Sequence, residues 1–192
     1  MGEGMYRFLK WTAICIALAW LGWMIYESLV AERAPGDYAY LAANNLFEDA
    51  LYDRALETYD EALGENPDHI HALRGKARTL VQLGRYPEAL KAFDEAIARE
   101  PDFAGTYANR GICYDRMGRY EQALADYTRA LQLDAEVAEG PHWLTRLLRN
   151  QPERPPTIAD RADYLRGQLA LPESERLLRM PEVDEQQRPY KR

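Results

Sequence analysis

Cysteine and histidine are scarce in this chain, with two and three copies among 192 residues. Cys15 lies in an apolar run and Cys113 near the middle of the sequence, so the two are not expected to pair, and the chain must fold without a disulfide. No cluster of cysteine and histidine has the spacing of a zinc site, which removes zinc modules from consideration. His69 and His71, two residues apart, read as an inert surface pair. Glycine-rich phosphate loops of the Walker or dinucleotide type are also missing, so nucleotide chemistry has no foothold. Nor is there a basic surplus. The 24 Lys and Arg stand against 31 Asp and Glu, a formal net charge of −7, which excludes non-specific nucleic-acid binding because that needs a basic surface. Catalysis finds no constellation. Cys113 and His142 are the best candidates for a nucleophile and a base, yet nothing in the sequence places a base beside Cys113. The expectation is a protein that is not an enzyme and that uses neither cofactor nor metal.

What the chain does contain is a phased pattern. Ala55, Ala89 and Ala123 form a column at intervals of 34 residues. Tyr59, Phe93 and Tyr127 form a second column, and Ala62, Ala96 and Ala130 a third. Pro67 and Pro101 close two of the units, and Ala135 stands where a third proline would fall. Generic amphipathic helices would show a 3.6-residue period without this longer phasing. Gly84 and Gly118 sit at equivalent places, Leu83-Gly84-Arg85-Tyr86 and Met117-Gly118-Arg119-Tyr120, where a left-handed glycine can end a helix. The first unit has Leu51-Tyr52-Asp53 there and no glycine, so its turn is expected to be looser. The prolines end helices because the residue before a proline disfavours the helical conformation.

A 34-residue period with an A-x3-F…P core resembles the tetratricopeptide repeat, a helix–turn–helix unit that stacks into a solenoid. The resemblance implies an all-α fold. It would be a right-handed superhelical array of three repeats over 36–137, namely 36–69, 70–103 and 104–137. In the family the eighth position of the first helix is small, and here it reads Ala43, Ala77 and Gly111. The eleventh reads Leu46, Leu80 and Tyr114. The fourth reads Ala39, Leu73 and Tyr107, so the first repeat fits least well. Small residues let two helices approach closely, and the aromatic of the second helix fills the space between neighbours. An array leaves an apolar face open at its ends, and residues 138–150, with Trp143, Leu144, Leu147 and Leu148, resemble the family's capping helix.

The N-terminal region has a different character. No charge occurs from Trp11 to Tyr26, and the stretch 8–30 admits only Lys10 and Glu27. At 1.5 Å per residue it covers about 34 Å, enough for the hydrocarbon core. We expect a short tail over 1–7 and a transmembrane helix over 8–30. Lys10 would snorkel, and Trp11, Trp20, Trp23 and Tyr26 suit interfacial belts. A cleaved signal peptide would need a shorter apolar region and a small-x-small site, and Leu29-Val30-Ala31 is a poor one. Arg7 and Lys10 precede the span while Glu27, Glu32 and Arg33 follow it, which puts the repeats on the far side of the membrane. In a bacterium this is a single-pass inner-membrane protein with its repeats in the periplasm.

Past the cap, residues 151–180 read as a stiff proline linker, Gln151-Pro-Glu-Arg-Pro-Pro156, followed by short helices. Thr157 and Asp160 resemble a capping box, with Ile158, Leu165 and Leu169 at helical spacing. Pro172 can open another helix bearing Leu177 and Leu178. The final stretch, 181–192, is charged and proline-bearing and is expected to be disordered.

The resemblance also implies where binding occurs. The first helices of such repeats line a concave groove, so the partner-binding residues would be Tyr40, Asn44, Phe47, Arg74, Arg78, Asn109, Arg116, Arg146 and Arg149, with His142 beside them. The second helices carry Glu57, Asp60, Glu61, Glu88, Asp94, Glu95, Glu121 and Asp126, so an acidic chain would present a mainly basic concavity. Arginine recognises carboxylates bidentately, which favours an acidic peptide or a C-terminal carboxylate as partner, with Tyr40, Phe47 and Val81 taking its side chains. The family's chaperone-tail clamp is not matched, since Tyr40 and Gly75 replace its lysine and second asparagine. Two functions follow. One is a membrane-anchored scaffold or adaptor that holds a partner while a membrane-associated complex is assembled or stabilised. The alternative is a cytoplasmic-facing receptor for chaperones or precursor proteins. A tail of 181–192 folded into the groove would make the chain self-inhibiting.

Overall fold

The computed structural model describes residues 2–30, 34–138 and 156–179, which hold eight α-helices, two 3₁₀ turns and no strand. They fall into two units, 1–34 and 35–192. The first is the helix α1, Glu3–Val30. It starts five residues before the apolar stretch, so the expected short tail is largely helical. Glu3–Glu27 is long and apolar enough to cross a membrane by length and composition, properties that anchors and signal sequences share. Trp11, Trp20 and Trp23 are exposed on it.

The second unit is a series of helical hairpins. Its helices are α2 (Asp37–Glu48), α3 (Tyr52–Glu65), α4 (Ile70–Gln82), α5 (Tyr86–Arg99), α6 (Ala104–Arg116), α7 (Tyr120–Leu133) and α8 (Ile158–Leu169). Consecutive helices pack on one another from α2 to α7, and α8 packs on α7. The three sequence columns occupy the core. Ala55, Ala62, Ala89, Ala96, Ala123 and Ala130 are fully buried, as are Tyr59 and Tyr127, with Phe93 at 1% exposure. The small positions on the facing helices set how near the hairpins lie. A Cβ on Gly75 would sit 2.3 Å from Tyr59 Cε1, and one on Gly111 would sit 2.7 Å from the Tyr127 ring. Tyr59 therefore lies flush against the next hairpin, and Tyr127 lies flush against its own.

Each hairpin turns in the same way. Gly84 and Gly118 are left-handed, at φ 72° and 74°, and so is Ala50 in the first repeat, at φ 58°. The hydrogen bonds also repeat. Leu51, Arg85 and Arg119 each donate a backbone N–H to the carbonyl of the residue five before, Leu46, Leu80 and Tyr114, all at 2.9 Å. The expected looser turn is thus corrected: the turn is as tight as the others, and Ala50 accepts a conformation in which its Cβ crowds the following carbonyl. The second helices end at Asn66 and Glu100, both extended as the following prolines require. Asp134 is extended too, with alanine after it. Here the Asp134 carboxylate accepts the Glu136 N–H at 2.8 Å, as Asn66 Oδ1 accepts the Asp68 N–H at 3.1 Å, so the same side-chain turn forms with or without the proline.

Ionic contacts reinforce the junctions at the same interval. Lys76 reaches Asp60 at 2.6 Å, and 34 residues later Arg110 reaches Asp94 at 2.6 Å. Arg110 also grips Asp126 with both prongs at 2.7 Å, tying α5, α6 and α7 together.

Most of the expected capping helix, 138–150, lies outside the described residues, and Ala138 ends a 3₁₀ turn, Ala135–Ala138. Among the described residues the end of repeat 3 is covered by α8. Its capping box is as expected: the Thr157 hydroxyl accepts the Asp160 N–H and the Asp160 carboxylate accepts the Thr157 N–H. Ile158, Ala162 and Leu165 are buried against α6 and α7. The helix expected after Pro172 is not formed. One 3₁₀ turn, Glu173–Glu175, follows that proline, and Arg176 is extended. The tail 181–192 lies outside the described residues.

Two glycines give opposite forecasts. Gly75→Ala should lower stability by about 1–2 kcal/mol, because overpacking a buried ring outweighs alanine's helix preference. Gly167→Ala, on α8 with open space around it, should raise it by up to about 1 kcal/mol. Ala50→Gly should also raise it, by about 1 kcal/mol, because relief of the left-handed strain exceeds glycine's entropic cost. Urea unfolding of the full chain in detergent measures all three.

Candidate functional site

The first helices α2, α4 and α6 carry the side chains expected to meet a partner. At the start of α4, His69 is buried, which corrects the expectation of a surface pair. Its Nδ1 accepts the Ala72 N–H at 3.2 Å, so Nε2 carries the proton and donates to Asp37 Oδ1 at 3.1 Å. Both ring nitrogens are thus in use. Tyr40 lies over His69, ring centroids 4.9 Å apart, and His71 stands 6.0 Å from the same tyrosine. Desolvation and then the charge of Arg74 hold His71 below the usual histidine range.

Further along, the Tyr59 hydroxyl donates to Asn44 Oδ1 at 2.6 Å. Burial pushes this phenol up to about 12, against the opposing charge of Arg78. The Arg78 guanidinium carbon lies 5.3 Å from the centroid of Phe47, and its Nε is buried with no hydrogen-bond partner among the described residues. Tyr40, Asn44, Phe47 and Arg78 are therefore neighbours across α2 and α4. Phe47 is only 7% exposed, so it forms the floor beneath Arg78.

Other expected groove residues have a different employment. Arg74 is buried. Its Nε donates to Thr106 Oγ1 at 3.0 Å, its Nη2 reaches Glu100 Oε2 at 2.6 Å, and its plane lies 3.8 Å over the Phe103 ring. It bolts repeat 2 to repeat 3 and does not stand open in a concavity. Asn109 is also buried and donates to the Gly105 carbonyl of its own helix at 2.7 Å. Arg116 is half-buried and reaches Gln82 Oε1 at 3.3 Å and the Val81 carbonyl at 3.5 Å. Arg146, Arg149 and His142 lie outside the described residues. Cys113 is fully buried with its Sγ facing the Tyr86 carbonyl at 3.9 Å, and burial pushes its thiol up to about 12, which keeps it un-ionised at neutral pH.

The contact that sequence reading missed involves Asp115 on α6. Arg161, from α8, grips both its carboxylate oxygens at 2.8 Å, with the two side chains 3% and 4% exposed. The Tyr127 hydroxyl donates to the same carboxylate at 3.1 Å. Charge-assisted, forked and dry, this pair fixes α8 to the last repeat. Removing one partner leaves a buried charge, so Arg161→Ala or Asp115→Ala should cost about 3–5 kcal/mol. The double replacement Asp115→Leu with Arg161→Met should recover most of that loss. Urea midpoints of the three variants check the pattern.

Residues 46–109 match a family model described as tetratricopeptide repeat, and residues 104–136 match another of the same description. Among solved structures the chain is similar to the first TPR of Spaghetti (RPAP3) bound to the HSP90 peptide SRMEEVD. The TM-score there is 0.51 at 21% identity, over 62% of this chain and 92% of that one. It is similar to the TPR2B domain of yeast Sti1 in complex with pHsp70, at TM-score 0.51 and 24% identity, over 61% of this chain and 92% of that one. It is also similar to TTC0263, a thermophilic TPR protein of Thermus thermophilus, at TM-score 0.50 and 26% identity, over 60% of this chain and 66% of that one. No curated protein matches the chain.

Proposed function

For a chain that carries tetratricopeptide repeats behind an apolar N-terminal helix, we propose a membrane-anchored interaction scaffold. It holds an extended, acidic segment of a partner along α2, α4 and α6 while a membrane-associated complex is assembled or stabilised. The observation that carries this reading is Arg78. A half-buried guanidinium resting on an aromatic floor beside Asn44, with its Nε turned inward, is suited to offering its terminal N–H groups to a carboxylate. Tyr40 and Phe47 offer apolar surface next to it, and Arg116 adds a second charge. Arg74 enters as a structural neighbour, since Glu100 already neutralises it. Among the solved structures similar to this chain, one is bound to the acidic peptide SRMEEVD, which makes an acidic peptide the natural first probe.

The chain in nanodiscs should bind a fluorescein-labelled acidic peptide in an anisotropy titration, and Arg78→Glu should weaken that binding at least tenfold and flatten its salt dependence. Unchanged affinity and salt dependence would remove Arg78 from the site. Topology separates the scaffold from the second reading, a cytoplasmic-facing receptor for chaperones or precursors, which the likeness to TPR domains in complex with an HSP90 peptide and with pHsp70 brings forward. With α1 as an uncleaved anchor and the basic flank Arg7 and Lys10 inside, a reporter active only outside the cytoplasm, fused after Arg192, should be active in a bacterial host. A silent reporter on a protein still made would favour the receptor.

A further inference from the structure

Beyond α8 the chain turns back on itself. Pro172, at φ −53° and ψ 145°, leads into the turn Glu173–Glu175, and Arg176 is extended at φ −75° and ψ 127°. Residues 176–178 then run antiparallel to α8. Arg176 donates to the Leu169 and Leu171 carbonyls, Leu177 meets Gln168 and Tyr164, and Leu178 meets Arg161.

Three residues on one face of α8, at spacings of three and four, address only the main chain of that segment. Gln168 Oε1 accepts the Leu177 N–H at 2.6 Å, the Tyr164 hydroxyl donates to the Leu177 carbonyl, and Arg161 Nη2 donates to the Leu178 carbonyl at 3.0 Å. Two side chains of the segment are engaged: Arg176 through the carbonyls at the end of α8, and Leu178 as the one apolar anchor. Leu178 packs on the apolar cluster that contains Ile112, Tyr127 and Leu165, while Leu177 is 71% exposed. Main-chain groups plus one aliphatic anchor are how a site grips an extended peptide without demanding a particular sequence.

The slot does not depend on what fills it. The Thr157–Asp160 capping box starts α8, Ile158, Ala162 and Leu165 bury it, and the Arg161–Asp115 fork locks it to α6. The occupant is held less firmly. Its one apolar anchor, Leu178, is half-buried, and three of its five bonds, from Arg176 Nε, from Leu177 and to Tyr164, lie at exposed positions, the profile of a segment that opens locally before the fold does.

The geometry points to a second peptide-binding site, formed by Arg161, Tyr164 and Gln168 of α8 over the end of repeat 3. It takes an extended partner segment with one leucine-like anchor, and the chain's own 176–179 is its resident, exchangeable occupant. The site is separate from the groove on α2, α4 and α6 and stands whether or not that groove binds acidic peptides.

The test uses the full chain in nanodiscs and a fluorescein-labelled peptide of sequence Ser-Glu-Arg-Leu-Leu-Arg, copied from 174–179. Leu178→Asp expels the tethered competitor, whose effective concentration is high because its linker is short. That variant should bind the peptide at least tenfold more tightly than the wild-type chain. A peptide with aspartate at its second leucine should bind neither. Adding Gln168→Ala and Tyr164→Phe to Leu178→Asp should weaken binding again by about tenfold. Equal affinity of wild type and Leu178→Asp, or no binding to a Leu178→Asp chain whose circular dichroism matches wild type, overturns the proposal.

Should Leu178→Asp lose helix, hydrogen exchange on the wild-type chain decides. The Leu177 amide should exchange at least a hundredfold faster than the Leu165 amide in the core of α8. Exchange of both at one common rate would mean that segment and cap open only together, which overturns it. Exchange of the segment between two copies, seen as a dimer that Leu178→Asp dissolves, would also overturn it in favour of self-association.

Discussion

The structure depends on how near one hairpin can come to the next, and that distance is set by an aromatic ring against a bare helix. Tyr59 has no room for even a methyl group on Gly75 of the next hairpin, and within the last hairpin Tyr127 has none for one on Gly111. Phe93 makes the middle wedge, its column alanines fully buried around it. Once rings and bare positions interlock, the first helices α2, α4 and α6 follow in register, and Asn44, Phe47 and Arg78 come together without any local signal in the sequence between them. Asn44 and Phe47 are thus placed by the same packing that seats Tyr59.

Charge is then distributed by the same stacking. A chain with a net charge of −7 could gather its arginines on one face. Several of them instead serve as fasteners. Arg74 joins repeats 2 and 3 through Glu100 and Thr106, Arg110 spans three helices, and Arg161 holds the cap. Buried, multiply bonded guanidinium groups specify which hairpin lies on which, a task that an apolar contact performs less selectively. Among the described residues Arg78 differs from these, lying half-buried over Phe47.

Legibility in the sequence followed the periodicity. The Ala and aromatic columns, both turn glycines, the two proline stops and the Thr157 capping box were readable, because each is a residue type placed where its own stereochemistry is needed. Ala50 was not, since nothing about alanine announces a positive φ; the constraint comes from the neighbouring hairpins, which require the same turn geometry. The stop at Asp134 was not, because the Asx turn that it shares with Asn66 stands there without a proline to mark it. Arg74 was assigned by its position on the helix to an open face, but the partners that cover it, Glu100 and Phe103, come from the end of α5 and the loop after it. The Arg161–Asp115 pair spans 46 residues outside the repeat phase, so no local or periodic pattern could reveal it.

That long span bears on how the chain is made. Most contacts of the array join neighbouring hairpins, so each unit can condense soon after it emerges from the ribosome. The far side of α6 and α7 is different, because among the described residues its cover lies in the turn Ala135–Ala138 and in α8, Ile158–Leu169, which ends roughly 36 positions after α7. At about 5–20 residues per second, the newest hairpin waits on the order of two to seven seconds for the part of its cover that α8 supplies. During that interval the nascent protein offers chaperones an apolar patch that the finished molecule conceals.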